Sequence, residues 1–245
     1  GGPFALPVEL HVGAARVERG GEALERFACK WKVGATVAEL ESLRIAGLGG
    51  ELEARGVLDY RDGAALRVAF DPEWRDLDLA GIGKLIGEPL GGQGRFAGRA
   101  KLSAAGGDVR AALATVRGSF NVTLADGSLE GLNLASATLA NLEGVPRLRE
   151  AVLHRAKDRV PGLLERTSAI RELHVEGQVG DRGFAIAAFE LSSIDYALSG
   201  KGEVGFGGDV NLGGTLSLTP AASQELLGGA GVLAVLAPGG GPVRI

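Results

Sequence analysis

The stretch 195-DYALSGKGEVGFGGDVNLGGTLSLTP-220 decides the fold. Tyr196, Leu198, Val204 and Phe206 stand in one register, which resumes after a glycine pair as Val210, Leu212, Leu216 and Leu218. Ser199, Lys201, Glu203, Asp209, Asn211, Thr215, Ser217 and Thr219 fill the other. A period of two held this long belongs to strands with one apolar and one wet face. Glycines sit where large core side chains would be expected.

The same alternation runs through the rest of the chain. Leu6, Val8, Leu10 and Val12 lead through Gly20-Gly21 to Phe27, Cys29, Trp31 and Val33. Leu43 and Ile45 turn at Gly49-Gly50 into Leu52, Ala54, Leu58 and Tyr60, and Arg61-Asp62-Gly63 leads on to Leu66, Val68 and Phe70. Further strands carry Phe96 to Leu102, Phe120 to Leu124, Leu173 to Val179, and Phe184 with Ile186. Each is followed by its neighbour, so the expectation is an antiparallel meander. A short helix is predicted within 76-DLDLAGIGKLIGEPLGGQG-94, another after an Asp108 N-cap, and a third at Thr219-Pro220. From about 134 to 167 the period lengthens to helical, with Pro146 and Pro161 as breaks. The chain 1–245 thus reads as a single mainly β unit: a long curved antiparallel sheet forming an open groove, with a helical insertion and helices near one end.

Composition narrows function. The 26 Lys and Arg against 30 Asp and Glu give a net charge of −4, which argues against nucleic acid held by phosphate neutralisation. One cysteine excludes an internal disulfide framework, and its register with Phe27 and Trp31 predicts a buried thiol. With 41 glycines and only 5% aromatics, a thin-walled sheet is expected rather than a thick sandwich. No methionine occurs, even at position 1, as expected of a mature or excised piece. The longest apolar stretches are too short to span a bilayer.

Motifs for chemistry are weak. Gly81 to Gly87, GIGKLIG, lacks the phosphate-loop pattern: Asp78 stands where its first glycine belongs and Leu85 where Ser or Thr would hold magnesium. There is no nucleophile elbow, and Ser192-Ser193 near Asp195 reads as loop. His11, His154 and His174 lack metal-ligand spacing and read as half-exposed surface residues. Asn121-Val122-Thr123 fits a glycosylation pattern but falls in an expected strand. The basic run Arg147 to Arg166 is interleaved with Glu150, Asp158 and Glu165, so a solvated face is favoured over a membrane-lying helix. No acid, base or nucleophile constellation supports an enzyme, and neither a metal nor a cofactor is called for.

The segments 118-GSFNVTLADGSLEGLNLA-135 and 189-FELSSIDYALSGKGEVGFGGDVNLGGTLSLTP-220 resemble the C-terminal region of AsmA-like (AsmA/TamB-related) bacterial envelope proteins. A strand, an Asp-Gly turn and a G-x-n-L exit are followed, after an insertion, by a strand pair and an alternating G-x-G strand. 49-GGELEARGVLDY-60 and 77-LDLAGIGKLI-86 resemble the family's preceding strand and short helix. The resemblance implies a periplasmic protein anchored in the inner membrane of a Gram-negative envelope. Its β-groove would shield phospholipid and serve lipid transport or outer-membrane biogenesis. The family's N-terminal membrane helix has no counterpart here.

Several exposed rows of Leu, Val and Phe are costly, since burying one such side chain is worth about 1.5–3 kcal/mol. A second sheet or the helices could close over them as ordinary core. Alternatively the sheet curls into a hydrophobic trough for acyl chains, glycines permitting the bends. The expected lining is then Val8, Leu10, Phe27, Trp31, Leu52, Leu58, Val68, Leu102, Val204, Phe206, Leu212, Leu216 and Leu218. The rival reading is a non-enzymatic scaffold that binds an envelope assembly partner through a sheet edge.

Overall fold

In a computed structural model describing residues 7–19, 21–61, 65–87, 91–130 and 167–227, the alternating segments form one sheet. In chain order the elements are β1 (Val8–Ala14), β2 (Val17–Arg19), β3 (Glu22–Val33), β4 (Val37–Gly47), β5 (Gly50–Asp59), β6 (Leu66–Asp78), α1 (Leu79–Ile86), β7 (Gly92–Gly106), α2 (Val109–Leu113), β8 (Arg117–Glu130), β9 (Thr167–Gly180), β10 (Gly183–Ser192), β11 (Tyr196–Gly205), β12 (Val210–Leu218) and α3 (Pro220–Leu227). From β3 onward each strand pairs antiparallel with the next, and β1 and β2 lie in succession along the outer edge of β3, giving the order β1-β3-β4-β5-β6-β7-β8-β9-β10-β11-β12 with β2 beside β3. This is the open, curved meander that the alternation predicts. The insertion read at about 134–167, with its basic run and His154, lies outside the described residues apart from Thr167, where β9 begins.

Bulges interrupt the ladders where two residues outside the apolar register come in succession, Glu25-Arg26, Glu41-Ser42, Arg75-Asp76 and Ala187-Ala188, and again at Asp126-Gly127, which is a bulge inside β8 and not the turn expected from sequence. Each extra residue bends its strand and increases the local twist. It also restores parity, so the apolar residue that follows returns to the face its predecessors occupy.

The helices sit on the connections, α1 and α3 at one end of the strands and α2 at the other. Asp78 caps α1 by accepting from the Gly81 N–H at 2.9 Å, and Gly87 ends it with φ 84°. GIGKLIG is therefore a helix, not a phosphate loop. Lys84 reaches back to Glu22 of β3 at 2.8 Å. Asp108 caps α2 through the Ala111 N–H at 2.8 Å, and the Thr219 hydroxyl accepts from the Ala222 N–H at 3.3 Å ahead of α3. The β4–β5 turn is centred on Leu48 and Gly49, with φ 53° and 75°, one residue earlier than the sequence reading. Paired positive φ values match the sheet's twist in a two-residue hairpin, and packing of the Leu48 side chain at Gly81 of α1 holds the unfavourable conformation.

A closed core lies where α3 meets the last strands. Leu191, Tyr196, Leu198, Leu216 and Leu218 are buried there with Ala222. Cys29 departs from expectation: it is on the apolar face but only half-buried, because no described element covers β3 at that point. Leu216 is 0% exposed, so Leu216→Ala should cost about 2–5 kcal/mol of unfolding free energy. Urea denaturation followed by circular dichroism measures it.

Candidate functional site

Directly paired residues of an antiparallel sheet share a face, so the registers can be followed from edge to edge. One row runs Leu10, Trp31, Leu40, Gly56, Phe70, Leu102, Gly118, Val179, Phe184, Val204, Val210. A second runs Ala14, Phe27, Ile45, Leu52, Trp74, Gly98, Val122, Val175, Phe189, Gly200, Gly214. Neither contains a charged or hydrogen-bonding side chain other than the Trp31 and Trp74 indoles. The opposite face carries rows such as Arg44, Glu53, Glu73, Arg99, Asn121, Glu176. On the apolar side, charge enters at the tip of the β2–β3 hairpin, where Glu22 meets Lys84.

Twelve of the thirteen residues singled out from the sequence lie on this apolar face: Val8, Leu10, Phe27, Trp31, Leu52, Leu58, Val68, Leu102, Val204, Leu212, Leu216 and Leu218. Phe206 lies in the β11–β12 turn and joins the face through an edge-on contact with Phe184, ring centroids 5.4 Å apart. They do not form one compact cluster, because ten strand spacings, about 48 Å, separate β1 from β12. Leu216 and Leu218 belong to the closed core. At the open extremes, Leu10 is 50% exposed, Phe206 60% and Val210 62%.

Leu58, Val68 and Leu102 meet in a cavity of about 350 Å³. Leu66, Phe70 and Ala104 complete its floor, and Ala112, Leu113 and Val116 of α2 and the segment after it form the roof; Ser103 is at its border. The Ser103 hydroxyl turns away toward the Arg117 carbonyl, 3.5 Å distant.

The aromatics explain the glycines. Trp74 stacks on Phe96 at 5.4 Å and lies over its cross-strand partner Gly98, where a Cβ would come within 2.8 Å of the indole Cζ2. Phe70 over Gly56, Phe120 over Gly177 and Phe189 over Gly200 repeat the arrangement. An aromatic lying flat over a glycine covers its exposed backbone. Phe70, Trp74, Phe96, Phe120 and Phe184 belong to the lining as well; the reading from sequence omits them, although they share the period of the residues it selects. The Trp74 Nε1 donor is buried without a partner.

The wet face carries solvent-accessible ion pairs. Lys30 meets Glu41 at 2.5 Å and Arg117 meets Asp181 at 2.6 Å. In each pair the hydrogen bond between the partners is the main cause that lowers the carboxyl pKa. Arg61 hydrogen-bonds Asp59 and holds its carboxyl at about 2. His174 sits between Asn121 and Thr123, each at 3.3 Å. Among the described residues, no group of His, Cys, Asp and Glu is placed to hold a metal ion, and no helix is long and apolar enough to cross a membrane.

Gly98→Val should push Trp74 off the wall and cost about 1–3 kcal/mol, read as a fall in Tm. The Asp59 pKa is lower folded than its ordinary 3.8, so its contribution is full above that value and lost as pH falls toward about 2. Asp59→Asn should flatten the Tm-against-pH curve in that window and leave it unchanged in shape above pH 5.

Comparison with protein-family models, curated proteins and solved structures finds no match for this chain.

Proposed function

We propose that this chain is the groove-forming periplasmic part of an inner-membrane-anchored AsmA-like protein. In this reading it shields phospholipid acyl chains during lipid transport to the outer membrane, without catalysing a reaction. The observation that carries the reading is the pair of apolar rows spanning the whole open sheet, with no described second sheet over them. Hydrocarbon laid on such a wall gains about 0.8 kcal/mol per buried methylene. A headgroup can remain at the rim, where wet-face side chains begin. The family assignment rests on the resemblance of the Gly118 to Ala135 and Phe189 to Pro220 segments.

The scaffold reading draws on a different feature. The outer edge of β1 pairs with no described strand, and a free edge accepts an added strand. Proline substitutions along Val8–Ala14 should then abolish partner binding and leave any bound lipid in place.

Native mass spectrometry of the protein purified from a Gram-negative host tests the groove. Phospholipid should travel with the protein, and Leu10→Glu combined with Leu212→Glu should cut the bound fraction at least threefold while circular dichroism stays unchanged. Protein that carries no lipid, and takes up none from added phosphatidylethanolamine, would sink the reading.

A further inference from the structure

Resting on the groove reading, we infer that the cavity beneath α2 is the seat of a single hydrocarbon chain and that Leu113 is the residue that closes over it. The floor is Leu58, Leu66, Val68, Phe70, Leu102 and Ala104, all contributed by the apolar face of β5, β6 and β7. A volume of about 350 Å³ falls at the small end of ligand pockets.

The lining selects the occupant. A peptide segment or a lipid headgroup would bring N–H, C=O or charged groups into a space that offers them no partner, at a cost of several kcal/mol each. An acyl chain brings none.

The roof is fixed at its base and open at its lip. Thr115 Oγ1 accepts from the Ala105 N–H at 2.9 Å and donates to the Ala105 carbonyl at 2.6 Å, tying the end of α2 to β7. Ala112 is buried close over Gly106, where a Cβ would come within 2.3 Å of the Ala112 nitrogen. Leu113, the next residue, lines the cavity yet is 67% exposed. An apolar side chain held at the mouth of an apolar space by a pinned helix gains cover only when the space is filled.

The test uses 9,10-dibromostearate, whose bromines quench tryptophan fluorescence; Trp31 and Trp74 are the chain's two tryptophans and both stand on the apolar face. Wild-type protein should be quenched saturably. Leu113→Glu, at an exposed position, should weaken binding at least tenfold, and Ala104→Phe, which fills the floor, should do the same. Val57→Glu on the wet face should leave it unchanged. Saturable quenching that neither cavity substitution weakens would overturn the seat while leaving the groove standing. Absence of quenching in the wild type would defeat the groove and the seat together.

Discussion

The structure depends on the segregation of charge to one side of a single paired ribbon. Each strand contributes alternate side chains to two faces, and pairing fixes which residues share a face across all its neighbours. A one-residue slip of β5 against β6 would bring Glu73 and Arg99 onto the face that holds Ile45 and Leu52, where unpaired charges cost far more than the pairing gains. The register is therefore held by desolvation across the width of the sheet, not by any one contact. The ion pairs of the wet face are exposed and screened, and they add little to that constraint.

Curvature and register are reconciled by the bulges. A strand that bends must accommodate an extra residue, and an extra residue ordinarily inverts all that follow. Here the extra residue falls within doubled positions outside the apolar register, Glu25-Arg26, Glu41-Ser42, Arg75-Asp76 and Ala187-Ala188. Leu24 and Phe27, Leu40 and Leu43, Trp74 and Leu77, and Ile186 and Phe189 consequently stay on one side, although the spacing within each pair is three. The bend and the unbroken apolar wall have the same origin in sequence.

That origin also decides what can be read before any coordinates. Strand order follows from local alternation and short connections, which need no long-range information, and the faces of Val8, Trp31, Leu58 and Leu212 follow from the same period. Asp108, Thr219 and Pro220 announce their helices through capping chemistry. The cavity under α2 is not legible in this way. Leu113 and Val116 come to face Leu58 and Leu66 because of how α2 is pinned to β7, and side chains some fifty positions apart meet only once the strands are registered. Cys29 departs from its expected burial for a related reason: alternation gives the side of a sheet and says nothing of what covers it.

Glycine is the residue that makes a wall of this kind usable. A large aromatic facing another large side chain across a ladder stands upright and fills the space above the sheet, as in an ordinary core. Facing Gly98, the Trp74 indole lies down, and Phe70 does the same at Gly56. The ring then covers backbone that would otherwise be wet, while its outer surface presents a low, smooth hydrocarbon floor. In the closed core leucine meets leucine across the ladders, Leu216 on Leu198 and Leu198 on Leu191, and the space is full. Two packing modes thus occur on one face of one sheet. Trp74 and Phe70 each have a leucine across one ladder and a glycine across the other, Leu52 with Gly98 and Leu102 with Gly56, and it is over the glycine that the ring lies.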